Sequence, residues 1–242
     1  MKTRNSSVRS LGAFAQAAII VAAVLIAYIP ALRAGYIWDD DRYVTKNITL
    51  RDSAGLRRIW FDVGATPQYY PLVFTSFWIE RRIWGGHPAG YHLTNVLLHA
   101  VNAVLVLVAL RTLNISGAWV AAMLFAVHPV HVESVAWITE RKNVLSGMFY
   151  LAALLAYLRF SGIEKPRDHE PARWRFYFLS LILFAGALLS KTVTCTLPAI
   201  IALILWWKRQ PFRWRTFVPL IPMVIIAAPA SILTAALEQH NV

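Results

Sequence analysis

The sequence predicts an all-α integral membrane protein: a multispan bundle of about seven transmembrane helices, with a long outer loop that carries an interfacial helix. Three observations carry that expectation. Of 242 residues, 58% are hydrophobic and the mean hydropathy is +0.52, more than a soluble core of this size needs. Apolar runs recur to the end of the chain, so residues 11–32 are an uncleaved first span and not a secretory leader. The net charge of +12 comes from basic residues clustered beside the apolar runs, which fits membrane topology and excludes a soluble nucleic-acid module. A single Cys, Cys195, excludes an internal disulfide.

The apolar runs fall at residues 11–32, 93–111, 116–130, 143–160, 176–190, 192–207 and 216–237. Each approaches the 15–25 residues a helix needs to cross a bilayer. Residues 176–207 are almost unbroken around "SKT" and too long for one helix. Arg173 and Arg175 precede that stretch, and Lys208 and Arg209 follow it. The positive-inside rule puts both flanks in the cytoplasm, so the chain must turn back near Lys191, which then lies outside. By the same rule Lys2, Arg4 and Arg9, the segment Arg159–Arg175, and the segment Lys208–Arg215 are cytoplasmic.

Three segments face outward: a loop over about residues 33–91, the connection "HPVHVESVAWITERK", and the Ser190–Lys191 turn. Within the loop, "PLVFTSFWIERRIWGG" mixes Phe77, Trp78, Ile83 and Trp84 with Arg81 and Arg82. This suits a helix lying in the membrane interface and ending at Gly85–Gly86. A small loop domain packed on the bundle is the alternative, and both readings stand at this point. No repeat, heptad or low-complexity tract is apparent.

The polar groups are few and placed. Asp39, Asp40 and Asp41 follow the first span, with Tyr36 and Trp38 as interface anchors. Adjacent carboxylates repel, which can raise one pKa and make a base near neutral pH; a solvated helix cap is the plainer reading. In the second span His92, Asn95, His99 and Asn102 share one helical face. A polar stripe there must meet protein or water, and for Asn95 and Asn102 interhelical glue is the expected role. The outer connection collects His128, His131, Glu133, Glu140, Arg141 and Lys142, and charge held so near a bilayer points to function. Two His and a Glu could surround a metal, but Pro129 interrupts the helix and no HExxH occurs, so no metal is expected. Arg141 and Lys142, joined by Lys191, suit a phosphate instead. Carboxylates, cations and an embedded polar face together suggest sugar transfer from a lipid phosphate outside the cytoplasm.

The runs "WDDDRYVTKN", "YYPLVFTSFWIERRIWGGHPAGYHLTNVLLHAVNAVL", "AAMLFAVHPVHVESVAWITERKNVLSGMFYLAALLAY" and "LLSKTVTCTLPAI" resemble the membrane half of the TMTC-type O-mannosyltransferases and their bacterial tetratricopeptide-repeat relatives. The resemblance covers most of residues 35–205. It implies a single GT-C-like transmembrane domain over residues 1–242, in the bacterial inner membrane or the endoplasmic reticulum. It implies a polyprenyl- or dolichyl-phosphate-linked sugar as donor, a protein hydroxyl as acceptor, an inverting transfer on the periplasmic or lumenal side, and neither metal nor cofactor. The acidic pair of that family carries onto Asp39 and Asp40 as catalytic residues. Arg141, Lys142 and Lys191 would hold the donor phosphate, and His128, His131, Glu133, His92 and His99 would orient the site. The chain stops at Val242, just after its last apolar run, where such proteins continue with further spans and repeats; a missing C-terminal repeat region is the expectation. A transporter and a non-catalytic membrane scaffold are the alternatives. Paired, broken hydrophobic segments are absent from the sequence, which counts against the first. The second leaves the outer acidic and basic clusters unexplained.

Overall fold

In a computed structural model the described backbone covers residues 3–163, 173–210 and 214–240, and side chains within the helices are described over somewhat fewer. Lys2, residues 164–172 and 211–213, and the side chains of Arg4, Arg9 and Arg215 lie outside the described residues. In chain order the helices are α1 (Thr3–Ala27), α2 (Ser53–Phe61), α3 (Pro71–Trp84), α4 (Pro88–Thr112), α5 (Ala118–Val127), α6 (Val132–Ala136), α7 (Arg141–Ser161), α8 (Arg173–Leu188), α9 (Leu197–Trp207), α10 (Trp214–Phe217) and α11 (Ile221–His240). The described residues contain no strand.

Each apolar run read from the sequence lies largely in a helix, but among the described residues fewer than seven are long and apolar enough to cross a membrane. Three qualify: Pro88–Thr112, Ile138–Ser161 and Val218–Leu237. The pair Ala118–Val127 and Pro129–Ala136, bent by 48°, makes a fourth. Within the described residues, the apolar stretches Gly12–Ala27 of α1 and Thr192–Trp207 are shorter. Pro129 causes the bend, since its ring removes a donor and blocks the preceding turn. The break expected near Lys191 is present: α8 ends at Leu188 and a 3-10 turn over Thr192–Thr196 leads into α9.

Three apolar clusters hold the bundle. Ala100, Ala103, Ala118, Ala122 and Ala126 let α4 and α5 approach closely beside Ile20 and Val24 of α1. Tyr157, Phe184, Leu188, Ile201 and Met223 join α7, α8, α9 and α11. The third cluster gathers Tyr43, Leu50, Ile59, Phe74 and Phe77 from the loop against Tyr91, Ile138 and Leu145 of the bundle. The outer loop is thus a packed cap. α3 buries Val73, Phe74, Phe77 and Glu80 and leaves Ile79, Arg82, Ile83 and Trp84 exposed. It ends where expected, at Gly85, whose φ of 61° and ψ of −123° suit a residue without Cβ.

The bundle has two chemically distinct ends. At one, Arg111 of α4 bonds Gln16 of α1, Lys208 reaches the carbonyl of Leu113, and Tyr177 donates to the carbonyl of Pro219 at 3.0 Å. Arg159 lies over the ring of Phe176 there. At the other end, Asp40, Glu80, Glu140, Arg141 and Lys191 engage the starts of α4 and α7 and the α8–α9 turn. Arg141 and Arg159 sit near opposite ends of α7, about 27 Å apart at 1.5 Å per residue.

Candidate functional site

The three aspartates after α1 go to three different environments. Asp40 is fully buried. Its carboxylate accepts from the backbone N–H of Ile37 at 2.9 Å, the N–H of Thr139 at 3.0 Å and the hydroxyl of Thr139 at 2.6 Å. It therefore ties the segment after α1 to the outer connection, 99 residues on. Asp41 accepts from Lys46 at 2.6 Å and Thr45 at 2.7 Å, and these bonds hold its carboxyl below the ordinary range. Asp39 is exposed, and its carboxylate makes no hydrogen bond or ion pair among the described residues. Mutual repulsion among three neighbours, expected from the sequence, is relieved by this sorting. The turn that achieves it puts Trp38 at φ 45°, a left-handed conformation that costs an L-residue about 1–2 kcal/mol; its ring packs edge-on against Trp137 at 5.2 Å.

The cations sort as clearly. Lys142 pairs with Glu140 at 2.9 Å. Asn143 donates to Glu140 at 2.6 Å and to Ser134 at 3.0 Å, and its carbonyl accepts from Lys191. Lys142 and Lys191 thus meet across one Glu–Asn pair. Burial pulls Lys191 below the ordinary lysine range; Glu140 and Glu133 oppose that shift and Lys142 adds to it. Beside Lys191 an open groove of about 290 Å³ runs down α7 past Ser146 and Tyr150 to Thr194 and Thr196. Glu133 itself is exposed.

Arg141 is placed otherwise than the sequence suggested. It is fully buried, with its guanidinium bonded to both carboxylate oxygens of Glu80 at 2.9 and 3.1 Å, to Ser76 at 3.2 Å, to the carbonyl of Tyr91 at 2.9 Å and to Asn95. Those bonds use all five N–H donors. The phosphate-gripping role expected of Arg141 is revised: its fork is spent on α3 and α4, which it pins to the start of α7, leaving Lys191 as the cation that lines the groove, with Lys142 paired to Glu140 nearby.

The histidines divide. His92 is buried near Asp40, among the backbone of Ala34, Gly35 and Ala136. His99 shares a hydrogen of its ring Nε2 with the carbonyl of Ala126 at 2.9 Å and stacks on Phe125. His131 lies 4.4 Å from Phe125 and 5.3 Å from His99, with His128 at 6.4 Å. His99, His128 and His131 therefore form a packed ring cluster against α5 and bond none of the site's cations. Asn95 and Asn102 donate across helices to the carbonyls of Trp137 at 2.9 Å and Val144 at 2.8 Å, the interhelical role expected of them. Among the described residues no group of three or more His, Cys, Asp or Glu side chains could hold a metal ion.

Tyr43 joins the two halves and had no signal in the sequence. Lys142 Nζ stands 5.8 Å from its ring, and its N–H donates to the carbonyl of Asp39 at 3.0 Å. Its hydroxyl donates to Gln68 at 2.8 Å, and burial, then Asp39, raises its pKa, so the phenol stays protonated. Asn143, also missed, did carry a signal: a polar side chain in the first turn of an apolar helix, three residues after Glu140.

The fold is a helical bundle with several helices long and apolar enough to cross a membrane, and one of its ends brings together an exposed carboxylate, two lysines and a groove. Comparison with known proteins narrows that description. The chain is 34% identical over 191 residues to the protein O-mannosyl-transferase Tmtc2 of Drosophila melanogaster, covering 74% of this chain and 20% of that protein. It is 36% identical over 187 residues to Tmtc1 of the same fly, covering 72% and 21%, and 31% identical over 192 residues to human TMTC3, covering 75% and 20%. Over these residues the chain is a TMTC-type membrane segment. It spans about a fifth of the length of the curated relatives it matches. No family model matches it, and no solved structure does.

Proposed function

We propose that this chain is a GT-C-type glycosyltransferase that moves a mannose-like sugar from a polyprenyl-phosphate-linked donor to a protein hydroxyl, with inversion and without a metal. The observation that carries this reading is the placement of an exposed, unpaired carboxylate, Asp39, one tyrosine away from the paired lysines Lys142 and Lys191. The relatives' names as protein O-mannosyl-transferases supply the reaction class.

Asp39 takes the proton of the acceptor hydroxyl as its oxygen bonds the anomeric carbon. The bond from that carbon to the phosphate oxygen breaks, and its electrons leave with the lipid phosphate. Lys142 and Lys191 hold that charge as it grows. The lipid chain lies along the Ser146–Thr196 groove. Asp40, His92, Thr139 and Arg141 act from behind, fixing the two segments that carry Asp39 and Lys142. His131 and Glu133 border the cationic end.

In the membrane all seven apolar helices cross or enter the bilayer, α3 rests its exposed Ile79, Ile83 and Trp84 in the interface, and the basic end faces the cytoplasm. The site then opens to the periplasm or lumen. The test is transfer of radiolabelled sugar from a polyprenyl-phosphate donor to a hydroxyl-bearing polypeptide in reconstituted membranes. Lys142→Ala with Lys191→Ala should raise the KM for donor and lower kcat together. Wild-type kinetics in that double variant would remove the phosphate from this site.

A further inference from the structure

A second cavity lies against Gln68, the hydrogen-bond partner of the Tyr43 hydroxyl. It holds about 360 Å³ and is lined by Arg42, the loop of residues 63–70 and the last turns of α11 at Thr234 and Leu237. Tyr43, 5% exposed, forms the partition. One face of its ring looks to Lys142, and its hydroxyl ends on Gln68 in the cavity wall. Asp39 stands at the edge of that partition, its carbonyl bonded to the N–H of Tyr43. Tyr43 therefore lies between Lys142 and the Gln68 wall of the cavity, with Asp39 beside it.

The lining has a definite chemistry. Gly64, Ala65, Thr66 and Pro67 have short side chains, so main-chain groups come to the surface. The carbonyl of Gln68 accepts from Tyr43, which turns its amide N–H₂ away from that bond, and no described group accepts from it. Arg42 is exposed and pairs with no described carboxylate, because Asp40 is buried on Thr139 and Asp41 is taken by Lys46. A primary amide and an unpaired guanidinium beside a loop of short side chains suit a stretch of polypeptide that brings a carboxylate of its own.

Building on the proposed transfer, we infer that this cavity binds the acceptor: an extended polypeptide segment whose serine or threonine reaches Asp39 while an acidic neighbour meets Arg42. A lipid donor enters from the Lys191 side and a protein from the Arg42 side, so the two substrates need not pass each other.

Two synthetic peptides test it, one with aspartates flanking a threonine and its twin with lysines in their place. The photoreactive residue p-benzoylphenylalanine is introduced at Ala65, in the cavity wall, or at Trp119, at the opposite end of the bundle, in the full 242-residue chain in nanodiscs. Ala65 should label the acidic peptide on the order of fivefold more than the basic one, the size expected of one exposed charge pair. Arg42→Glu, a change at an exposed position, should reverse that preference. Equal labelling of both peptides at Ala65, labelling no stronger than at Trp119, or an unchanged preference in Arg42→Glu would each overturn the inference. Selective, Arg42-dependent labelling without any sugar transfer to the labelled peptide would keep the polypeptide site and remove the transferase reading.

Discussion

Asp39 and Asp40 are neighbours in opposite environments, and the difference is accessibility. Asp40 has no exposed surface and accepts three hydrogen bonds, two of them from Thr139. Asp40→Asn puts an N–H₂ where donors already point, so it should destabilise the fold by about 1–3 kcal/mol, read as an earlier thermal transition in detergent. Asp39→Asn disturbs no described bond and should leave that transition in place. Lys191 carries a pH signature. Its ammonium is held below the usual lysine range, chiefly by burial. Since only the protonated form grips phosphate, affinity for a polyprenyl phosphate should hold at low pH and fall on raising pH, sooner than for an ordinary lysine. Lys191→Arg keeps its charge and should move that loss to higher pH; an identical profile in the variant would detach it from Lys191. At this scale the sequence was partly legible. Outward charges near a bilayer drew attention to the end where the structure gathers Asp40, Glu140, Lys142 and Lys191, because their cost there demands a reason. Arg141 misled because its partner Glu80 is 61 residues away, and a guanidinium suits a buried carboxylate as well as a phosphate.

The elements are joined by a few buried polar links. Arg141 binds α3 through Glu80 and Ser76, and α4 through Tyr91 and Asn95, from the first position of α7. Removing one side leaves a buried charge alone, so Glu80→Met should cost about 3–5 kcal/mol. Glu80→Met with Arg141→Met should cost less than the sum of the two single changes, measured as a double-mutant cycle on thermal or denaturant unfolding. An additive result would mean that the pair is not coupled. Gly55 marks another close contact: a Cβ there would lie 1.9 Å from the carbonyl oxygen of Thr49. Gly55→Ala must push α2 off the cap and should destabilise it by about 1–3 kcal/mol, read by proteolysis of the outer loop. Helices were legible from the apolar runs, and the Lys191 break from charge at both flanks of a run too long for one helix. The bend at Pro129 was foreseen only as an interruption. The packing of the loop was not legible, because Tyr43, Phe74 and Phe77 look alike in sequence whether they face lipid or one another.

At the scale of the whole molecule, the basic flanks around Arg111, Arg159 and Lys208 and the mixed polar cluster around Asp40, Glu140 and Lys191 occupy opposite ends of one helical bundle. Single cysteines introduced at Asp39 and Glu133, in a Cys195→Ser background, should react with an impermeant reagent from one side of the membrane. Cysteines at Arg111 and Arg159 should react only from the other. Labelling of Asp39 and Arg159 from the same side would break the topology, since α7 separates those ends by nearly a bilayer's thickness.

The central claim is that the Asp39 carboxylate accepts a proton during sugar transfer. The most direct measurement is the rate of that transfer from a saturating polyprenyl-phosphate-linked donor by Asp39→Asn and wild-type protein, reconstituted side by side. The variant should bind donor as wild type does and turn over ~10²-fold or more slowly. Transfer by Asp39→Asn at the wild-type rate would contradict the account and return Asp39 to the role of a solvated residue at the edge of the cap.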